Sequence, residues 1–462
     1  METLHDASTN NEFPLLFPYQ AEGVLFLLQH KGGFLLDEQG LGKTIQTIEA
    51  LETFYLSRLV SRILVVCPAI MRLTWQQEFE DWIGYESQVI IKKTDEIKPQ
   101  SKIVICSYEY VTHRYNKKSL LLEKFDAVVL DESHKIKNPA SQRTKACLQL
   151  LLHDQTKVRI LLSGTPITKG VDDLYSQLRP FYRSATECAA KLGKSIWAFR
   201  DKYMYKKQSV FGTEYYGCKK AEELKAVLNA VSLRRKKADV LKELPNLLHE
   251  KVYLDIPKTL ADESLRYVDT AIRVVMGDSW KGVDKDEADH IATMRKNLGV
   301  AKLRGTVDYI KFLLDKEDSR YEANKKKLVV FAYHNDVIKA LHQALTFNVN
   351  IRADYIIGET PSDKRQELIR KFQSDDEDAP QILVLNILAG GVGITLTKAH
   401  TEIFAELDWT PANIAQAEAR CHRIGQKEDV NVVFLLAKDS LDAHIFNVID
   451  KKVQVLDTLE LK

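Results

Sequence analysis

Residues 37–44, DEQGLGKT, constrain this chain more than any other stretch, because they follow a short apolar run (FLL, 34–36) and open an amphipathic one (44–56). A glycine-bearing turn between a strand and a helix is a phosphate-binding arrangement. Gly40 and Gly42 let backbone N–H groups face a phosphate with no Cβ in the way, and the helix N-terminus adds its partial positive charge. Lys43 is then placed to reach the β- and γ-phosphates, while Thr44 offers a hydroxyl to magnesium. The general pattern G-x-x-x-x-G-K-[ST] begins with glycine, and this chain carries Asp37 there. For the loop alone, a glycine-rich turn without a ligand is the plainer alternative.

A second feature, DESH at 131–134, follows the apolar run AVVL. A strand end there puts Asp131 and Glu132 at the crevice where ligands bind in parallel α/β sheets. Asp131 suits magnesium, and Glu132 suits polarising an attacking water. Such a pair can also be a mere helix cap, but the loop at 37–44 in the same domain argues against it. A third feature lies far along the chain. In QAEARCHRIGQ (416–426), Gln416, Arg420 and Arg423 are spaced i, i+4 and i+7, which predicts one stripe of a helix. The stripe is either a surface salt-bridge face or a pair of arginines that closes onto a γ-phosphate held elsewhere.

The surrounding pattern predicts an α/β protein. Near-continuous apolar runs at 34–36, 63–68, 102–108, 127–132 and 158–164 alternate with helical patterns, as a doubly wound parallel sheet requires. The rhythm stops over an aromatic-rich, helical stretch at 181–232 and resumes after 327. The expected division is a first lobe (1–180), a helical protrusion (181–232), a connector (233–257), a second helical protrusion (258–315) and a second lobe (316–462). Net charge is only +2, so composition does not announce a polyanion binder. Six scattered cysteines lack metal-ligand spacing, so they are expected to be reduced, with no structural zinc. No apolar run reaches the roughly 20 residues that cross a bilayer. The start, METLHDASTNNEFP, does not read as a secretory leader, and a cytoplasmic location without membrane contact is expected.

Taken together, DEQGLGKT, DESH, LLSGTPI (161–167), GGVGITL (390–396) and QAEARCHRIGQ resemble helicase superfamily two. The finer resemblance is to its Snf (Swi/Snf) branch, through ILVVCPAIMRLTWQQEFEDW (63–82), LRRKKADVLKELP (233–245) and the ending HRIGQ. Within that branch, FAELDWTPANIAQAEARCHRIGQ is similar to the HARP-like annealing-helicase group. The resemblance implies two RecA-like lobes that bind ATP and Mg2+ in their cleft, with Gln39 and Leu41 part of the phosphate loop beside Asp37 and Glu38. It implies that Gln20 reads the adenine, that Ser163, Gly164 and Thr165 link the nucleotide to lobe movement, and that Gly393 contributes to the nucleotide site. Pro68, residues 107–109, Thr360, residues 391–393 and Trp409 would face the DNA backbone, and Arg234 and Arg235 would lie in the hinge. For Trp409, simple core packing is an equal alternative.

The resulting expectation is a DNA-dependent ATPase that translocates on double-stranded or branched DNA through sequence-independent backbone contacts. It would remodel DNA or protein–DNA complexes by strand annealing or fork remodelling, without a long wedge hairpin to split the duplex. The rivals are a strand-separating DNA or RNA helicase and a non-catalytic DNA-binding scaffold. Protein partners are not legible.

Overall fold

The computed structural model describes residues 16–119, 124–168, 170–182, 184–209, 212–276, 283–315, 326–390 and 394–458. The first lobe carries β1 (Gly32–Leu35), β2 (Ile63–Cys67), β3 (Gln88–Val89), β4 (Ile103–Ser107), β5 (Ala127–Asp131) and β6 (Val158–Leu162). These are the apolar runs of the sequence. Their two-residue period sends alternate side chains to opposite faces. In β2, Ile63, Val65 and Cys67 enter one apolar cluster and Leu64 and Val66 the other. Helices Pro18–His30, Lys43–Leu56 and Arg72–Ile83 cover one face with Leu27, Leu51 and Phe79. Helices Tyr108–Asn116 and Gln142–Leu151 cover the other with Val111 and Leu150. Ser107 and Ser141 start these last two helices by accepting the backbone N–H of Tyr110 and Thr144, at 3.3 and 3.1 Å.

Residues 181–232 depart from the helical expectation. Helices Ala185–Leu192, Ile196–Tyr203 and Ala221–Asn229 are present, but β7 (Tyr205–Ser209) and β8 (Gly212–Tyr216) form an antiparallel hairpin between them. Tyrosine, valine, phenylalanine and threonine crowd this stretch, and such side chains favour an extended backbone. The chain then returns as β9 (Ser232–Leu233), which pairs with β1. All pairings in this sheet are parallel, in the order β3-β4-β2-β5-β6-β1-β9.

The connector is stitched into both lobes. Its β10 (Leu247–Leu254) pairs along its whole length with β15 (Val430–Ala437). Between them run β11 (Leu328–Ala332), β12 (Ala353–Ile356), β13 (Ile382–Asn386) and β14 (Thr401–Phe404), giving a second parallel sheet ordered β10-β15-β14-β11-β13-β12. In β11, Val329 and Phe331 point to one cluster while Leu328, Val330 and Ala332 point to the other.

The four helices between Lys258 and Asp315 are less a protrusion than part of this lobe's cover. Ala271, Met294 and Leu298 complete one apolar cluster, and Val307 and Ile310 complete the other. All six cysteines are unpaired. Among the described residues no helix is long and apolar enough to cross a membrane.

Candidate active site

The carboxyl edge of the first sheet gathers the chemistry. Leaving β1, the backbone turns at Gly40 (φ 88°) and Gly42 (φ 72°), left-handed conformations that glycine adopts at least cost. Helix Lys43–Leu56 begins directly after, with Gly42 as its cap. Lys43 Nζ donates to the carbonyl oxygens of Asp37 (2.8 Å) and Glu38 (3.2 Å), so its ammonium hangs over the loop. Burial pulls Lys43 below its ordinary pKa, while the charges of Glu132, Asp37 and Asp131 oppose that pull. Thr44 follows in the first turn. Leu41 is fully buried, and its carbonyl accepts Tyr19 Oη (3.2 Å) and Gln20 Nε2 (3.4 Å). Gln20 is thereby fixed against the loop, and its Oε1 accepts the Phe17 N–H at 3.0 Å.

Asp37 and Glu38 need a correction as nucleotide ligands. The fully buried Asp37 carboxylate receives Arg235 Nε (3.0 Å), Arg235 Nη2 (2.5 Å) and Gln46 Nε2 (3.1 Å). Glu38 Oε2 accepts the Lys237 backbone N–H at 2.7 Å. Both side chains therefore tie the loop to the connector, and their carbonyls hold Lys43. The departure from glycine at position 37 has a structural use.

Asp131 ends β5, two strands from β1 in the sheet. Its Oδ2 accepts Trp75 Nε1 at 2.9 Å, and Tyr108 Oη donates to its carbonyl at 2.7 Å. Glu132 takes a left-handed backbone (φ 54°) that turns its side chain toward the cleft. Burial, then the charge of Glu132, pushes the Asp131 carboxyl up. Burial also works against the Glu132 carboxylate, but His134, Lys43 and Arg420 outweigh it and hold it low. Two half-buried carboxyl groups beside a lysine fit a divalent cation and a polyphosphate, since a cation at Asp131 would remove the conflict that raises it. Residues 163–165 complete this wall. His134 Nδ1 lies 3.2 Å from Glu132 Oε2 and 3.4 Å from Ser163 Oγ. Gln39 Nε2 donates to Glu132 Oε1 at 3.4 Å, and a Cβ on Gly164 would meet that amide at 2.7 Å. The buried Thr165 Oγ1 has no hydrogen-bond partner among the described residues.

The second lobe closes on this wall. Gln416 Nε2 donates to Glu132 Oε1 at 3.2 Å. The base of the Arg423 side chain packs over the phosphate loop, where a Cβ on Gly40 would sit 3.2 Å from Arg423 Cβ. The helical-stripe expectation is wrong in its geometry, because helix Pro411–Glu418 ends before either arginine. Continuation is blocked by tertiary partners. The Arg420 carbonyl accepts Leu396 N–H (2.9 Å), and Cys421 N–H donates to the buried Glu402 carboxylate (3.2 Å). Arg420 Nε returns to the Gln416 carbonyl (2.9 Å), and both arginines donate to the Ile394 carbonyl, at 3.4 and 3.2 Å. Burial and the like charge of Arg423 lower Arg420 to about 10, opposed by Glu132. Two neighbouring guanidinium groups are the donor type that suits an anion.

Lys237 is a functional candidate that the motif reading missed. It is 5% exposed, and its Nζ crosses to the His422 carbonyl at 2.6 Å, between the two arginines. Burial lowers it to about 8. Its signal was the basic run LRRKKADV, which marks the connector but not a particular lysine. Arg235 is no free hinge residue, given its bonds to Asp37. Gly393 and Gly391 lie outside the described residues. Trp409 is half-buried against the second core, with the Arg295 guanidinium 4.3 Å from its ring, an arrangement that favours the packing alternative.

The family model for SNF2-related domains matches residues 19–262, and the helicase conserved C-terminal domain model matches residues 306–425. A Caenorhabditis elegans protein described as "SWI/SNF-related matrix-associated actin-dependent regulator of chromatin subfamily A-like protein 1 homolog" is 32% identical over 467 residues, 96% of this chain and 62% of that protein. The Bos taurus "DNA annealing helicase and endonuclease ZRANB3" is 31% identical over 448 residues, 95% of this chain and 40% of that protein. The chain thus spans less than two thirds of either relative. The solved Sulfolobus solfataricus SWI2/SNF2 ATPase core in complex with dsDNA is 24% identical, covers 97% of this chain and 93% of that one, and has a TM-score of 0.45.

Proposed function

We propose, from the premise that the chain belongs to the SNF2-related family, that it hydrolyses ATP with magnesium and uses the lobe movement to travel along duplex DNA and remodel it. The observation that carries this reading is the contact between Gln416 and Glu132, made from opposite lobes at the position of the water-polarising carboxylate. Hydrolysis that requires both lobes is hydrolysis coupled to closure, the step by which chemistry becomes displacement.

Each residue has a distinct part. Lys43 and the loop N–H groups hold the phosphates, while Thr44 and Asp131 would hold magnesium, which supplies charge neutralisation to the phosphates when bound. Glu132 orients and polarises water, and Gln416 and Gln39 fix its Oε1. Arg420 and Arg423 stabilise charge that develops on the transferred group. Gln20, held at Leu41, would read the base. Annealing or fork remodelling is the favoured outcome of translocation, supported by the FAELDWTP segment and by the name of the bovine relative.

The deciding experiment measures phosphate release with duplex, single-stranded and forked DNA, beside a strand-displacement assay. Strong stimulation by duplex without displacement supports a translocase. Displacement of a paired strand would identify an unwinding helicase, and no hydrolysis with any DNA would leave a scaffold.

A further inference from the structure

The β7–β8 hairpin has no part in the nucleotide site, yet it is built to present aromatic rings. Register places Tyr205 opposite Tyr216, and both are exposed, by 49% and 55%. Their rings lie 5.8 Å apart at 30°. Side chains two apart share a strand face, so Lys207 stands beside Tyr205, opposite Glu214 in the register, and it is exposed as well. Nearby, the Arg200 guanidinium sits 4.9 Å from the ring of Trp197, itself 58% exposed.

The mounting is buried. Tyr203, two residues before the strand pair's start, is fully buried and donates its hydroxyl to the Lys191 carbonyl at 2.8 Å. Phe199, Tyr203 and Met204 anchor the hairpin's base in the first lobe's core. Exposed aromatic rings on a buried base are either a protein-docking patch or a platform for stacking bases. Charge favours the second. Residues 194–220 hold seven Lys or Arg against two acidic residues. Arg200, Lys202, Lys206 and Lys220 are ion-paired with Asp172, Glu223, Asp201 and Glu223, so the surplus rests on Lys194, Lys207 and Lys219. Protein interfaces deplete lysine, whereas single-strand platforms combine cations for the backbone with rings for the bases.

We propose that the β7–β8 hairpin is a contact for unpaired nucleotides at a DNA branch, with bases stacking on Tyr205 and Tyr216 and the backbone neutralised at Lys207. This rests on the reading of the chain as a motor on duplex DNA, and it names the branched partner of that motor. The hairpin would hold the single strand while the lobes engage the adjoining duplex.

The test uses the full chain and two DNA probes of equal duplex length, one linear and one a fork with single-stranded arms. Binding is followed by fluorescence anisotropy, and duplex-stimulated phosphate release is measured in parallel. Native protein is expected to favour the fork. The double variant Tyr205→Ala with Tyr216→Ala should lose that preference by about tenfold, the scale of one or two stacked bases, with duplex-stimulated turnover unchanged. Tyr205→Phe with Tyr216→Phe should keep it, because the ring and not the hydroxyl does the stacking. Lys207→Glu should lower fork binding on its own, which decides the matter if the double variant folds poorly. A native fork-to-duplex ratio in both the alanine variant and Lys207→Glu, or no fork preference in the native protein, overturns the inference while leaving the translocase reading intact. No DNA-stimulated turnover by the native protein would overturn both.

Discussion

Gln416 and Glu132 are separated by 284 residues in the chain and by 3.2 Å in the structure. The amide of the second lobe and the carboxylate of the first meet at one oxygen, Oε1, which Gln39 of the phosphate loop also approaches at 3.4 Å. A carboxylate oriented from both sides of a cleft is positioned only while the cleft is closed. Phosphate loop, water-polarising carboxylate and second lobe thus report to one another through a single side chain.

Glu132→Gln keeps the size of the side chain and its backbone turn but removes the charge that polarises water. Phosphate release should fall by about a hundredfold or more, while titration with a fluorescent nucleotide should give near-native affinity. Lys43→Ala should weaken affinity and turnover together. Native-rate hydrolysis by Glu132→Gln would remove Glu132 from the mechanism.

Arg423 packs its Cβ over Gly40 of the phosphate loop and donates to the Ile394 carbonyl, and the reading above assigns its guanidinium to a charge that appears during reaction. Arg423→Ala should lower kcat by about a thousandfold and change nucleotide Kd far less, since the lost contact belongs to the transition state. Equal losses in both would make it a structural residue.

Arg235 and Asp37 form a buried pair that fastens the connector to the phosphate loop. Arg235→Ala leaves Asp37 charged and without its guanidinium partner, a change that costs about 3–5 kcal/mol. Differential scanning calorimetry should show the first lobe's transition lowered by on the order of 10 °C. An unchanged transition would mean that water replaces the guanidinium without loss.

The parts of this site that were legible in the sequence are the local ones. DEQGLGKT and DESH are each set by a strand, a turn and the start of a helix, all within a dozen residues. The arginines were legible as residues but not as geometry. Whether the helix from Pro411 continues past Glu418 depends on Leu396 and Glu402, neighbours in space that no spacing rule contains. Lys237 escaped for the same reason, because its partner is a carbonyl 185 residues away. The hairpin was hidden by its surroundings. Helices at 196–203 and 221–229 set a helical rhythm, and the tyrosine-rich ribbon between them was absorbed into it.

DNA contact through phosphates alone predicts binding that ignores base sequence and weakens steeply with salt, because each neutralised phosphate releases counterion. Duplex affinity should drop by at least about tenfold between roughly 50 and 200 mM salt, a floor well below the thousandfold or greater loss of a protein making about 6–10 phosphate contacts. Affinity that stays flat over that range would exclude a backbone-tracking motor.

The remaining prediction concerns what movement along DNA accomplishes. A motor that tracks on duplex backbone pushes toward pairing, since strands that close ahead of it need no unstacking, whereas strand separation must supply the stacking energy at every step. That energy averages about 1.4 kcal/mol per base-pair step, and an unwinding enzyme needs a rigid element inserted between the strands to impose it. The described residues include one ribbon of that general shape, β7–β8, with five residues in each strand and a face that carries Tyr205, Tyr216 and Lys207, which the proposal above assigns to bases that are already unpaired. The hairpin departs from the expectation of no such ribbon, and closure remains the expected direction only if the hairpin holds unpaired bases and does not part paired ones. In a plasmid bubble held open by a single-strand-binding protein, native protein with ATP should restore the duplex, read as recovery of the plasmid's topology on a gel. Glu132→Gln should bind the bubble and leave it open. Strong DNA-stimulated hydrolysis with no closure would confine the protein to translocation and the displacement of bound proteins. Closure by Glu132→Gln at the native rate would show that binding alone, and not the motor, drives the strands together.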